Sequence, residues 1–181
     1  GPQHWGTEGT PIIKIKEMTG GISSETPYYN GEDVGDKYRF TDGDIIFSWS
    51  ATLLVKIWNE GPGFLNQHLF KVLPRQDIPR DFLFLSIKFC LPIFESLTTG
   101  STMKHIKRKE LSMVKIPVAV PDLLIKFHQI VHPMVEEILI LAKEIELLTK
   151  TKDLLLPRLI SGKLSVENLD IQFPPSMQET I

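Results

Sequence analysis

Over residues 1–78 the apolar positions come in short bursts; over the last third of the chain they recur at a longer period. "PIIKIK" (11–16) alternates apolar and basic residues, and "DIIFSW" (44–49), "TLLVKIW" (52–58) and "HLFKVL" (68–73) are rich in β-branched and aromatic residues. Residues of this kind suit a pleated, half-buried surface, so each burst predicts a strand. Gly20-Gly21, Asn30-Gly31, Asp42-Gly43 and "NEGPG" (59–63) supply turns between them. The stretch "MTGGISSETPYYNGEDVGDK" (18–37) has little periodicity and predicts a loop too long for a plain connector, which makes it a functional suspect.

The pattern changes at Pro79, a plausible first-turn residue, after which "RDFLFLSIKFCLPIFESLT" predicts a helix. A polar and basic stretch, "TGSTMKHIKRKEL", follows, and then "MVKIPVAVP", which predicts a strand ending at Pro121. From there Leu124, Phe127, Val131, Met134, Ile138, Leu141, Ile145, Leu148, Lys152, Leu155 and Leu159 alternate spacings of three and four without a break. Only Lys152 is not apolar, so this is a heptad seam of about five repeats and predicts a helix of about 50 Å. Pro133 and Pro157 should each kink it or mark a restart, and Gly162 should end it. Leu139, Ile140, Leu147, Leu154 and Leu156 fall off the seam, so the helix should bury more than one face. Packing along its own domain is the plainer alternative; the length favours partners.

These readings predict an α+β fold. Residues 1–120 form a mixed domain of strands with a packed helix, 121–162 a long coiled-coil helix, and 163–181 a tail whose polar, Pro-containing sequence reads as a true C-terminus. The chain has 181 residues, enough to bury a core without disulfides, and its 42% hydrophobic content is ordinary. The single cysteine, Cys90, lies in an apolar run and predicts a buried, inert thiol in a reducing compartment. No run of about 18 apolar residues predicts a membrane span, and no signal peptide opens the chain, so a cytoplasmic protein is expected.

Catalytic signatures do not stand out. There is no Asp/Glu-x-Lys nuclease pattern, no phosphate loop and no Asn/Asp-Pro-Pro-aromatic run for holding a flipped base. His128 and His132 lie four apart on a helix, but with no third ligand in view they read as helix surface, and no metal or other cofactor is expected. The net charge of −2 means that any nucleic-acid surface must be a local patch. Lys104, His105, Lys107, Arg108 and Lys109 gather within six residues and suit phosphate contact, as do Lys14 and Lys16. Ser48, Ser50, Thr52, Gln67 and His68 carry groups suited to base edges. A solvated surface turn is the bland reading of the basic cluster.

The segments "GDIIFSWSATLLVKIWNEGPGFLNQHLFKVLP" (43–74), "TGSTMKHIKRKELSMVKIPV" (99–118) and "LTKTKDLLLPRLISGKLSV" (148–166) together resemble the DNA-specificity subunit of type I restriction–modification systems. The resemblance covers nearly the whole chain, and "LLLPRLISGKLSV" is its most distinctive part. It implies a non-catalytic subunit in which each target-recognition domain reads half of a split DNA target and is followed by a long helix. It further implies methyltransferase subunits clamped onto the helices, a restriction subunit that joins later, and S-adenosylmethionine, ATP and Mg²⁺ held by those partners. The family pattern has two such units and this chain has one. It is therefore either a half-subunit that forms a homodimer or the C-terminal half of a longer subunit paired with its own N-terminal half. Helix pairing falls to Leu124, Phe127, Val131, Met134, Ile138, Leu141, Ile145, Leu148, Leu155 and Leu159, and methyltransferase docking to Leu147 and Leu154. A coiled-coil adaptor without DNA specificity and a nuclease with an unrecognised site are the rival readings.

Overall fold

The structure is a computed structural model that describes residues 5–31, 34–99 and 105–167, with the side chain of Arg108 left out. It divides into a unit ending at Leu139 and a second unit from Ile140. The first unit therefore takes in the opening turns of the long helix, beyond the expected boundary at 120, because those turns carry part of its core.

Two small sheets organise the first unit. One has the order β2-β1-β6-β3, from Tyr28–Tyr29, Thr10–Ile13, Gly63–Leu65 and Arg39–Phe40. In it β1 and β6 run parallel, and β2 and β3 flank them antiparallel. The other is an antiparallel sheet of order β5-β4-β7, from Leu54–Ile57, Ile45–Ser48 and Leu69–Val72. The bursts at 44–49, 52–58 and 68–73 thus become β4, β5 and β7.

Strand β4 is buried along its whole length. Ile46 joins a cluster with Ile13, Met18, Phe40, Trp58 and Leu69, which draws on both sheets. Its neighbours Ile45 and Phe47 face the other way, as the two-residue period of a strand requires. Phe47 packs with Ile87, Cys90 and Phe94 of helix α2 (Arg80–Ser96), and Ile45 with Ile57 and Val135. Trp58 is fully buried; its indole Nε1–H donates to Gly61 O at 2.7 Å and its ring meets Phe40 edge-on at 5.3 Å. Gly61 has a positive φ of 84°, which glycine adopts without the strain another residue would carry.

Four expectations change. The strand predicted at 11–16 stops at Ile13, because Glu17 reaches back to accept the Lys14 N–H at 3.0 Å and helix α1 (Ile15–Gly20) begins. The stretch 18–37 is not one long loop. It holds the end of α1 and strand β2, and buried Glu17 also accepts from Thr26 Oγ1 at 3.2 Å. Residues 113–120 form no strand: Val114 and Ile116 pack on the α2 cluster, but the segment finds no ladder partner. Helix α4 runs unbroken over Pro121–Ile160, through Pro133 and Pro157. Each proline frees the carbonyl four residues back, Gln129 or Asp153, and both of those residues are exposed, so water can take the freed acceptor.

Before α4 lies the four-residue helix α3 (Arg108–Leu111). Gly162, at φ 69°, turns the chain after α4, and Leu164 N–H donates to Arg158 O at 3.1 Å. Cys90 is a free, buried thiol. Among the described residues no helix is long and apolar enough to cross a membrane.

Gly63 admits no side chain: an added Cβ would lie 2.5 Å from Phe40 Cζ and 3.1 Å from Ile13 Cγ1. Gly63→Ala should therefore lower unfolding stability by about 1–3 kcal/mol, the usual range for overpacking, read by denaturant titration.

Candidate nucleic-acid interface

Strands β1 and β6 run parallel and finish together, Ile13 opposite Leu65. Asn66 N–H donates to Ile13 O at 3.0 Å, so Lys14 and Gln67 leave the sheet at the same end. In the second sheet, Ser48 at the end of β4 pairs with Leu69 at the start of β7. The β4–β5 turn and the residues just before β7 are brought side by side in the same way.

Several expected residues meet there. Ser50 Oγ lies 2.8 Å from His68 Nδ1, and Gln67 Nε2 lies 3.3 Å from His68 Nε2. Trp49 Nε1–H donates to Gln67 O at 3.2 Å, and its ring lies 5.7 Å from that of His68 and 5.8 Å from that of Phe70. His105 bridges to Ser50 through backbone pairing, and Ile106 N–H donates to Trp49 O at 3.0 Å, which brings exposed Lys107 to the margin of the group. Thr52 and Gln67 are exposed, while His68 and His105 are half-buried. Between them Ala51 holds φ 56°, left-handed backbone that an L-residue rarely adopts and that sharpens the turn. Trp49, set between two serines in "FSWSATL", offers no base-edge or phosphate group by its residue type, and its place against Gln67, His68 and Phe70 comes from the fold.

Other expected contacts are removed or weakened. Ser48 is fully buried and its hydroxyl donates to Ser50 O at 3.1 Å, so it cannot reach a base. Ser50 is 2% exposed with its hydroxyl turned to His68 Nδ1, so it is placed to orient that ring and not to meet a ligand itself. Lys16 is ion-paired with Glu25. That hydrogen bond, with the attraction of the opposite charge, raises the Lys16 pKa and lowers that of Glu25. Lys16 must leave this partner to meet a phosphate. Lys14 is half-buried with its ammonium 4.6 Å from the centre of the Trp5 ring. Lys104 and the Arg108 side chain lie outside the described residues.

The seam on α4 divides. Leu124 is buried, Phe127 meets Phe82 edge-on at 5.7 Å, and Val131 packs against the cluster around Ile45 and Val135. These three serve their own unit and are not free for pairing. Met134, Ile138, Leu141, Ile145, Leu148, Leu155 and Leu159 are all exposed, as are Leu147 and Leu154. Lys152 is paired with its neighbour Asp153 at 3.0 Å. The reading of His128 and His132 as plain helix surface is also corrected. Both Nδ1 atoms point at Oδ2 of fully buried Asp81, at 3.0 and 3.1 Å.

A family described as the type I restriction modification DNA specificity domain matches residues 2–134. The type I restriction enzyme MjaIX specificity subunit of Methanocaldococcus jannaschii is 33% identical over 166 residues, covering 88% of this chain and 38% of that protein. The HindI specificity subunit of Haemophilus influenzae is 26% identical over 164 residues, 87% of this chain and 36% of that protein. The EcoBI specificity subunit of Escherichia coli is 25% identical over 111 residues, 61% of this chain and 23% of that protein. The chain thus spans well under half the length of these relatives. In fold it is similar to the S subunit of a type I restriction–modification system from M. genitalium, with a TM-score of 0.62 at 18% identity, covering 89% of this chain and 41% of that one.

The division of the seam is open to a direct check. Leu124→Asp buries a charge in the core and should cost more than about 3 kcal/mol. Leu147→Asp changes an exposed position and should stay within about 1 kcal/mol. Thermal unfolding of the dilute chain separates the two; equal losses would put both residues in one environment.

Proposed function

This chain belongs to the type I restriction modification DNA specificity domain family, and on that premise we propose that it reads one half of a split DNA target and carries no catalysis of its own. The observation that carries this reading is the group at the shared strand ends: Trp49, Gln67, His68 and His105, with Lys107 at its margin. A mixture of amide, imidazole and ammonium suits duplex DNA. Bidentate amides read base edges and cations hold phosphates. In this reading Gln67 is the foremost base reader, Thr52 and His68 support it, and Lys14, Lys104, Lys107 and Arg108 hold the backbone.

The exposed residues from Met134 onward pair with a second long helix, from another copy or from the N-terminal half of the same subunit. Methyltransferase subunits dock over Leu147 and Leu154, and the restriction subunit joins that assembly. S-adenosylmethionine, ATP and Mg²⁺ belong to those partners, and the complex works in the cytoplasm. A protein-interaction adaptor is the second reading, favoured by the exposed apolar residues of α4. It has no use for the polar group at the strand ends.

DNA binding separates the readings. The assembled methyltransferase is titrated with salt on its target and on a scrambled duplex, the target being read first from the bases it modifies. Lys104→Gln, Lys107→Gln and Arg108→Gln together should weaken binding to both duplexes and flatten the salt dependence by about 0.9 per lost phosphate contact. Gln67→Ala should narrow target discrimination by about 1–3 kcal/mol. An unchanged salt slope would remove the basic stretch from the DNA face and favour a solvated turn.

Docking has its own test. Leu147→Asp with Leu154→Asp should abolish capture of the methyltransferase subunit while self-association, followed by sedimentation, survives. A charge driven into a dry contact costs several kcal/mol. Equal loss of both would mean that one face serves both partners.

A further inference from the structure

Asp81, His128 and His132 form a group that DNA reading does not use. Asp81 lies in the first turn of α2 and its side chain is fully buried. His128 and His132 sit one turn apart on α4, their rings stacked with centroids 4.6 Å apart. The candidate ligand atoms of all three lie within 4.8 Å of one another. Arg80 Nη2 is 3.3 Å from Asp81 Oδ1, which leaves Oδ2 turned toward the two imidazoles. Glu136, one turn beyond His132, brings Oε1 to 3.9 Å from His132 Nδ1 and also pairs with Arg80.

We propose that Asp81, His128 and His132, with Glu136 as a fourth donor, bind one divalent transition-metal ion of the zinc class, which pins the first turn of α2 to the opening turns of α4. Imidazole with carboxylate suits zinc, cobalt or nickel far better than calcium or magnesium, which prefer all-oxygen sites. A tetrahedral ion with bonds of about 2.0–2.1 Å sets neighbouring donors about 3.3 Å apart. The two Asp81–His separations, 3.0 and 3.1 Å, need open by only a few tenths of an ångström. Two carboxylates against one guanidinium leave the pocket net negative, which favours a cation. Both rings remain partly exposed, so an ion can enter from solvent.

The competing reading is a hydrogen-bonded clasp, in which each ring donates a proton from Nδ1 to Asp81 Oδ2. Metal binding needs those nitrogens unprotonated, with any remaining ring proton on Nε2. The two states therefore differ in which nitrogen carries the proton, and spectroscopy can read this.

The experiment uses the full chain, free of any affinity tag and stripped with a chelator. Zn²⁺ is titrated by calorimetry and Co²⁺ by its visible ligand-field absorption, and the melting temperature is followed with added Zn²⁺. One equivalent should bind, with tetrahedral Co²⁺ bands and a melting temperature that rises with Zn²⁺ concentration. His128→Gln and His132→Gln should each weaken binding by at least about 10-fold, the low end of what even a supporting residue supplies. His68→Gln and His105→Gln should leave it unchanged. Absence of saturable binding at millimolar metal, or binding indifferent to both α4 variants, overturns the site in favour of the clasp. Should a glutamine variant fail to fold, the imidazole NMR signals of the wild-type chain decide. Those of His128 and His132 must move with Zn²⁺, and signals that stay put overturn the proposal.

Discussion

Strand β4 has no solvent-facing side, and the rest of the first unit is arranged around that constraint. Its three apolar residues alternate between two faces: Ile46 toward Trp58, Phe40 and the first sheet, Ile45 and Phe47 toward α2 and α4. A register slip of one residue would exchange the two sets. Both hydrogen-bonding edges are occupied as well, by β5 and β7. The chain that leaves β4 and the chain that enters β7 must therefore run side by side, and Trp49, Ser50, Gln67 and His68 meet because of it. The polar group at the strand ends follows from apolar packing one residue further in.

Much of this was legible from the order of residues, and the failures have physical causes. Strands β4, β5 and β7 were visible because their β-branched and aromatic residues come in dense bursts, with glycine turns before β4 and after β5. Strands β3 and β6 were not, since Arg39–Phe40 and Gly63–Leu65 are too short to show a period. The segment at 113–120 has the alternation of a strand but lacks a partner, and pairing is a tertiary fact. Prolines at 133 and 157 predicted breaks, yet at exposed positions the lost hydrogen bond can be replaced by solvent. Gln67 and Thr52 are exposed beside the strand ends, whereas Ser48 looked equally suitable and is buried. Position explains it: Ser48 is the last paired residue of a strand buried on both faces, whereas Thr52 and Gln67 lie in the turns beyond.

The long helix carries one seam through two environments. Its three-four spacing continues from Leu124 to Leu159, and nothing in the residue types marks the change from Val131, which packs at home, to Met134, which is exposed. The same period satisfies a helix lying on its own domain and a helix lying on another. Only the neighbours tell them apart. Asp81 lay hidden for the same reason: an acidic residue in the first turn of a helix is usual, and its two histidine partners are far away in sequence.

The tight turn around Ala51 has a consequence for how such a protein can diversify. The residues at its tip and before β7, Thr52 and Gln67, are exposed, whereas Ser50, Leu53 and Leu69, one or two places away, are buried. Substitution at the tips leaves the apolar clusters untouched, so its cost in stability is small. The side chains presented there can then change under selection without passing through unfolded intermediates. The backbone at φ 56° sets a steric limit on that change, since β-branched residues at position 51 would strain the turn.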